Sequence, residues 1–161
     1  MKKLSILSDP SGAVFAEDRT HRLYLWRIWD RHLPLIMFIG LNPSTAAELR
    51  NDPTIRREIG FAVRWGYGGL FKCNAFTLVS TDPKKLNTER PIEMGANLAM
   101  RVIRRSFCSK AVAAWGGSII KVRLGEDRVE WIKQALAPLY CLGLLNKGIP
   151  GTLYICRAIL N

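Results

Sequence analysis

The residues best suited to chemistry in this chain follow a strand of the kind that is buried in a sheet. The apolar run 35–40 ends at Gly40 and is followed by Leu41, Asn42, Pro43 and Ser44. Ligands of open α/β sheets bind at the carboxyl ends of the strands. Because Pro43 has a fixed φ and restricts the preceding residue to extended backbone, Asn42 should have a fixed direction. Taken alone, the segment is also typical of a turn in which Ser44 or Thr45 caps the next helix.

Two further predicted strands end in groups that suit a ligand. Asn74 ends the strand 70–74, and Gly116 follows Trp115 at the end of the strand 111–115. An amide offers both a donor and an acceptor, as the edge of a nucleobase requires, and a glycine lets a ligand approach the backbone. The only histidines are His21 and His32, far from these strand ends. Hydrolase mechanisms that use a histidine base are therefore disfavoured.

The pattern of elements that would position these residues predicts an α/β fold. Predicted strands 35–40, 70–74, 111–115 and 139–142 alternate with predicted helices 52–65, 92–106 and 119–135, with Asp52 placed to cap the first helix. Residues 11–29 predict an N-terminal β-hairpin at the edge of the sheet. We therefore expect a three-layer α/β/α domain with a four-stranded, mainly parallel sheet, spanning 1–161 as a single domain.

Composition narrows the class of protein. The 161 residues include 24 Lys and Arg against 13 Asp and Glu, a net charge of +11, which favours a polyanionic partner such as nucleic acid. The alternative is a basic surface that is only solvated. No apolar stretch is long enough to span a bilayer, and the N-terminal segment is too short for a secretory signal, so we expect a cytoplasmic protein. The four separated cysteines predict no metal site and no cofactor.

The strand-end motifs resemble those of the uracil-DNA glycosylase superfamily. Residues 40–44 are similar to its first motif, in the Gly-Ile-Asn-Pro-Gly form of the mismatch-specific thymine/uracil branch, and residues 69–79 and 111–117 are similar to its second and third strands. The resemblance implies that Asn42 positions the water that attacks C1′ of the deoxyribose and that Asn74 reads a flipped-out base. It implies further substrate contacts from Gly40, Leu41, Pro43, Ser44, Trp115 and Gly116.

A closer resemblance covers nearly the whole chain. The signatures 42–46, 52–57, 65–69 and 140–143 resemble an uncharacterised domain family of bacteria and phages that has an Asn-Pro-Ser-Thr-Ala signature. That family has no assigned activity. Its distribution adds a modified viral base to the superfamily's usual substrates, uracil and thymine in mispairs. In that case base excision would serve antiviral defence instead of repair.

The last superfamily motif differs in this chain. It has a His-Pro-Ser or Asn-Pro-Ser sequence, followed by a side chain that inserts into the duplex, whereas residues 146–154 here contain no histidine. Backbone N–H groups of this Gly-rich segment are the candidates to stabilise the departing base, and Leu153 or Tyr154 to act as the wedge. The position of the motif implies DNA contacts from Lys147, Gly148, Thr152 and Tyr154.

Other candidate contacts come from the residues themselves. Arg56 and Arg57, on the helix after the first motif, are placed to hold phosphates, although a solvated helix face would look the same. Tyr67 in a Gly-rich segment is a candidate for stacking on a base, whereas the helical phase of Trp65 predicts a core residue.

The expected activity is that of a monofunctional DNA glycosylase, which flips out a damaged, mispaired or modified base and hydrolyses its N-glycosidic bond to leave an abasic site. Two alternatives from other classes stay open. One is a nucleic-acid-binding module without catalysis, and the other is an enzyme that acts on free nucleotides or nucleosides in the same cleft. The salt dependence of duplex binding and the release of free base distinguish the three.

Overall fold

A computed structural model describes residues 9–44, 49–87, 94–142 and 157–158. Seven strands and three α-helices are described, and the chain order is β1 Ser11–Phe15, β2 Arg22–Ile28, β3 Leu35–Gly40, α1 Pro53–Arg64, β4 Gly69–Asn74, α2 Met94–Ser106, β5 Cys108–Ala113, α3 Gly125–Ala135, β6 Leu139–Cys141 and β7 Arg157–Ala158. Short 3-10 helices cover Pro83–Asn87 and Gly117–Lys121. The mixed α/β class is as the sequence predicts.

All seven described strands belong to one sheet, in the order β1-β2-β4-β3-β5-β6-β7. β3 lies between β4 and β5 and is parallel to both. Parallel pairing continues from β5 through β6 to β7. The three predicted strands that carry the candidate site are therefore neighbours, and their carboxyl ends lie at the same edge of the sheet.

The expectation of four strands is wrong. The N-terminal hairpin is part of the sheet, because β2 pairs antiparallel with β4 and β1 pairs antiparallel with β2. The short β7 adds the seventh strand. β2 has the burial of an inner strand, since all but one of its seven residues are buried. A sequence pattern shows that a hairpin forms, but its pairing to β4 depends on tertiary contacts.

Apolar residues alternate across the sheet and form two cores. Ile36 and Phe38 of β3 pack with Ile55 and Ala62 of α1 on one face. Met37 and Ile39 belong to the core of the other face, which includes α2 and α3 residues such as Met100, Ile103, Val129 and Ile132. Helices therefore cover both faces of the parallel strands, which explains why β3 reads as a continuous apolar run.

The bounds of two elements differ from the predicted ones, and β5 ends at Ala113 instead of residue 115. β5 begins at Cys108 instead of residue 111, and its polar residues Ser109 and Lys110 lie beside a register shift in the pairing with β3. α3 begins at Gly125 instead of residue 119, because the chain first forms a 3-10 helix after Gly116, which has a φ of +71°. That left-handed φ favours glycine at the start of the 3-10 helix. α1 agrees with its prediction, including the cap at Asp52.

Candidate active site

A polar cleft of about 400 Å³ opens at the carboxyl ends of β3, β4 and β5. β3 lies at the centre of this edge. The chain passes from β3 through α1 to β4 on one side, and β5 pairs with β3 on the other side, so the strand order reverses at the cleft. Its lining combines strand ends, the start of α1 and the loop after β4: Arg22, Gly40, Leu41, Asn42, Ser44, Asp52, Thr54, Ile55, Lys72, Asn74, Ser80, Thr81, Ala114 and Trp115.

Asn74 is the most unusual residue of this lining. It is the last residue of β4, and only 2% of its surface is exposed. Neither its Nδ2 nor its Oδ1 has a hydrogen-bond partner within the described part of the chain. A buried polar group without a partner costs about 1–3 kcal/mol, and native structures seldom keep one without a reason. An amide in this state is available to a ligand that offers both an acceptor and a donor.

Asn42 also lines the cleft, and its amide is held by the backbone. Its Nδ2 donates to the carbonyl oxygens of Ser80 at 2.8 Å, Pro43 at 3.0 Å and Leu78 at 3.3 Å. These bonds join the end of β3 to the loop after β4. The direction of Asn42 therefore depends on the 78–80 segment as well as on Pro43. With the NH₂ group committed, Oδ1 is the atom that can accept a hydrogen bond from a water or a ligand.

Gly40 leaves room for two side chains of β4. A Cβ at this position would lie 2.7 Å from Lys72 Nζ and 2.9 Å from Asn74 Oδ1. Both distances are shorter than real Cβ contacts, so a larger residue would displace one of these groups. The requirement for glycine at the end of β3 thus comes from close packing across the strand pair.

A buried ion pair lies beside Asn74, and its lysine lines the cleft. Lys72 Nζ of β4 donates to Glu58 Oε1 of α1, and the side chains of both residues are 4% exposed. Burial raises the pKa of Glu58, and the charge of Lys72 opposes that shift. Arg22 is buried at the cleft too, and desolvation lowers its pKa against the opposing effect of Asp52 and Glu58.

Sequence reasoning missed these charges, although two signals were present. Lys72 is the only charged residue in the apolar strand β4, two positions before Asn74 and therefore on the same face of the sheet. Glu58 lies on the apolar side of α1, between the buried residues Ile55 and Ala62. A single charge on each of two otherwise buried faces predicts a buried pair when the two elements pack.

Asp52 has the capping role that the sequence predicts. Its Oδ1 accepts a hydrogen bond from the Ile55 N–H at 2.8 Å, and its Oδ2 accepts one from the Ser44 hydroxyl at 2.7 Å. Burial by itself would raise the pKa of Asp52, but these two hydrogen bonds, with Arg22 and Lys72 nearby, outweigh burial and lower it. Ser44 therefore supports the cap instead of capping the helix itself.

The remaining predicted site residues differ in where they lie relative to the cleft. Trp115 and Leu41 line the cleft, whereas Pro43 is buried beside it and Gly116 is outside its lining. The stacking role expected of Tyr67 is corrected, because this side chain is 7% exposed and packs in the core under α1. Arg56 and Arg57 are exposed on α1, directly after the cleft residues Thr54 and Ile55. Four predicted DNA contacts lie outside the described residues: Lys147, Gly148, Thr152 and Tyr154.

No group of three or more His, Cys, Asp or Glu side chains is placed to hold a metal ion in the described ranges. None of the helices described here is both long and apolar enough to cross a membrane.

Comparison with known proteins gives one finding. Residues 22–151 match the family described as "Protein of unknown function (DUF1643)". No curated protein and no solved structure matches the chain. The matched segment contains β2 through β6 and every residue that lines the cleft. The chain therefore belongs to the DUF1643 family.

Proposed function

We propose that this protein is a monofunctional DNA glycosylase that hydrolyses the N-glycosidic bond of a base flipped into the cleft. The observation that carries the proposal is the buried amide of Asn74, which lines the cleft and has no partner among the described residues. The Watson–Crick edge of a base offers such an amide both a donor and an acceptor. The resemblance of the strand-end motifs to the uracil-DNA glycosylase superfamily points to the same ligand.

Asn42 is the residue to which we assign the attacking water. Its Oδ1 can accept a hydrogen bond from that water, while three backbone carbonyls hold its Nδ2. An amide has no useful basicity, so its contribution is to hold the water in line with C1′. This suits a reaction in which the glycosidic bond loosens first and the sugar becomes oxocarbenium-like, because a strong base is then unnecessary.

DNA as the partner is supported by charge. The net charge of +11 is large for a chain of 161 residues. Arg56 and Arg57 are exposed beside the cleft, where a bound duplex would present its phosphates. In the proposed complex these side chains hold the backbone while the cleft receives the flipped nucleotide. Repair of mispaired or damaged bases and removal of a phage-modified base are the two roles that this activity would serve.

A screen of base-containing duplexes tests the proposal. The purified chain is incubated with duplexes that each carry one mismatched, damaged or modified base, and abasic sites are detected by alkaline cleavage and released base by mass spectrometry. We expect release from a subset of the panel. Asn42→Ala, purified in parallel, should lower the single-turnover rate by about 100-fold with nearly unchanged duplex binding, because positioning acts mainly in the transition state. Asn74→Ala should lower the rate and broaden the choice of base.

Two other outcomes would replace the glycosylase with an alternative. Salt-sensitive duplex binding without base release from any member of the panel would indicate a binding module. Release of base from free nucleosides or nucleotides, with none from a duplex, would indicate a small-molecule enzyme. Equal rates for wild type and Asn42→Ala would contradict the assignment of the water to Asn42.

A further inference from the structure

Lys72 is a buried cation to which the glycosylase mechanism proposed above assigns no role. It lies two residues before Asn74 on β4, so both side chains are on the face of the sheet that α1 covers. Both line the cleft. A lysine in the middle of a buried strand is costly, and a role in stability alone is weak grounds for it, since apolar residues of similar volume often serve as well as a buried ion pair.

The position of Gly40 shows how close Lys72 is to the base-reading amide. Lys72 Nζ and Asn74 Oδ1 lie 2.7 Å and 2.9 Å from a single point, the position that a Cβ of Gly40 would have. The two atoms are therefore at most 5.6 Å apart, the sum of those distances. A planar ring held by the Asn74 amide would have a second polar edge atom within reach of the ammonium. The absence of a side chain at Gly40 leaves room for both groups to lie side by side.

Base release creates a negative charge that this cation can stabilise. When the C1′–N bond breaks, its electron pair stays on the base, where it spreads onto the ring carbonyl oxygens. The water oxygen forms the new bond to C1′, and the proton that this water loses ends on the departed base. A preorganised donor at the position where the charge develops lowers the barrier most when the site is desolvated. Within the described residues, no histidine lines the cleft to serve this purpose.

We propose that Lys72 is the catalytic residue that stabilises the departing base as an anion, with Glu58 as the counter-ion that holds the ammonium in place; this inference rests on the proposed glycosylase function. Lys72 would thus stabilise the anionic base, which is the role of the histidine in the last superfamily motif. The ammonium donates to the base only as negative charge develops, because a neutral base competes weakly with Glu58. The contribution is therefore larger in the transition state than in the bound substrate.

The first test removes the cation without leaving a buried unpaired charge. In Lys72→Met/Glu58→Gln both charges are absent, and thermal unfolding confirms that the variant is folded. The matched control is Lys72→Arg, which keeps a cation beside Glu58. On the best duplex of the panel we expect the double variant to lose about 100-fold in single-turnover base release and Lys72→Arg to lose less than about tenfold. If the lysine only balances Glu58, the double variant releases base as fast as the control, and the inference is overturned.

The second test needs no catalysis. Barbiturate, an enolate anion at neutral pH whose charge is shared by its ring carbonyl oxygens, and uracil, a neutral ring of similar shape, are titrated into the wild-type protein by calorimetry. A charge-assisted hydrogen bond should make barbiturate bind about tenfold more tightly, and the double variant should lose this preference. A preference that survives in the double variant, or no preference in wild type, overturns the inference. If no duplex yields free base and the Lys72-dependent preference is present, the glycosylase is wrong and the anion site stands.

Discussion

At the scale of single residues, the candidate site depends on side chains that chemically similar residues cannot replace. Asn42 illustrates this, because its Nδ2 donates to three carbonyl oxygens. An aspartate has no hydrogen to donate and would place a negative charge against those oxygens. The sequence alone suggests that Asn42→Asp could hold the same water, whereas the structure leads us to expect that it disturbs the 78–80 loop. Alanine also removes these three hydrogen bonds, but it adds no charge that repels the carbonyl oxygens, and it is therefore the cleaner substitution.

Gly40 provides the most direct test of the geometry at this scale. In Gly40→Ala the new Cβ would meet Lys72 Nζ at 2.7 Å and Asn74 Oδ1 at 2.9 Å. We expect a loss of about 1–3 kcal/mol in the free energy of unfolding from overpacking, and a fall in base release of at least about tenfold. Urea unfolding and single-turnover assays measure the two effects.

Gly60→Ala is the matched control for this substitution. Gly60 lies in α1, where a Cβ would meet only Arg64 Nη1 at 3.9 Å. Because alanine is the better helix former, this variant should gain about 0.5–1 kcal/mol and keep its base release. Equal behaviour of the two variants would mean that the space beside Gly40 is not needed by the site.

At the scale of elements, α1 contributes Thr54 and Ile55 to the lining of the cleft and Glu58 to the buried ion pair. Asp52 caps the helix and accepts a hydrogen bond from the Ser44 hydroxyl. This bond connects the segment after β3 to the start of α1. Glu58, two turns further along, pairs with Lys72 of β4. The helix thus holds the strand-end loop and the cation in one arrangement, so its N-terminal turn determines the shape of the cleft.

The cap predicts a defined effect of pH on stability. Asp52→Ala should lower the free energy of unfolding by about 1 kcal/mol near pH 7, whereas Asp52→Asn should lose less, because asparagine is also a good cap. The pKa of Asp52 is lowered in the folded protein. Its carboxylate therefore stabilises the fold above its ordinary pKa of 3.8, and this contribution is lost as the pH falls through the lower folded pKa.

Urea unfolding of wild type and both variants between about pH 7 and pH 3 measures this effect. The difference between wild type and Asp52→Ala should shrink toward the acid end of the range. An equal loss in Asp52→Asn and Asp52→Ala at neutral pH would show that the negative charge beside Arg22 and Lys72, and not the cap, is what stabilises α1.

At the scale of the whole molecule, charge and topology act together. The sheet order places the ends of β4, β3 and β5 side by side, so one cleft receives a side chain from each. The chain has 24 basic and 13 acidic residues, and the basic excess is spread over its length. A duplex held by this excess would be attracted without regard to sequence, and choice of base would be left to the cleft.

Salt dependence tests the role of the basic surface. Duplex affinity should fall steeply between about 50 and 200 mM salt. Arg56→Ala and Arg57→Ala should each reduce the slope of log affinity against log salt by about 1 if each contacts one phosphate. Lys133→Ala is the control, because Lys133 lies on α3 and is paired with Glu130. Affinity that does not change with salt would contradict a phosphate-binding surface.

The sequence by itself determined the local elements and the ends of the strands. The apolar run 35–40 predicts β3 at its observed bounds, and Asn74 is the observed last residue of β4. Capping by Asp52 also follows from the sequence, because Pro53 and the apolar spacing of α1 are local signals. Each of these properties depends on residues within a few positions of one another. Backbone conformational preferences act over the same short distance along the chain.

Only the tertiary structure decided which groups meet. The pairing of β2 with β4, the contact of Glu58 with Lys72 and the burial of Tyr67 join residues of different elements. The same holds for the amide of Asn42, which donates to carbonyls 36 and 38 residues further along the chain. Such contacts result from how the faces of helices and strands fill the core, and the pattern within any one element does not contain that information.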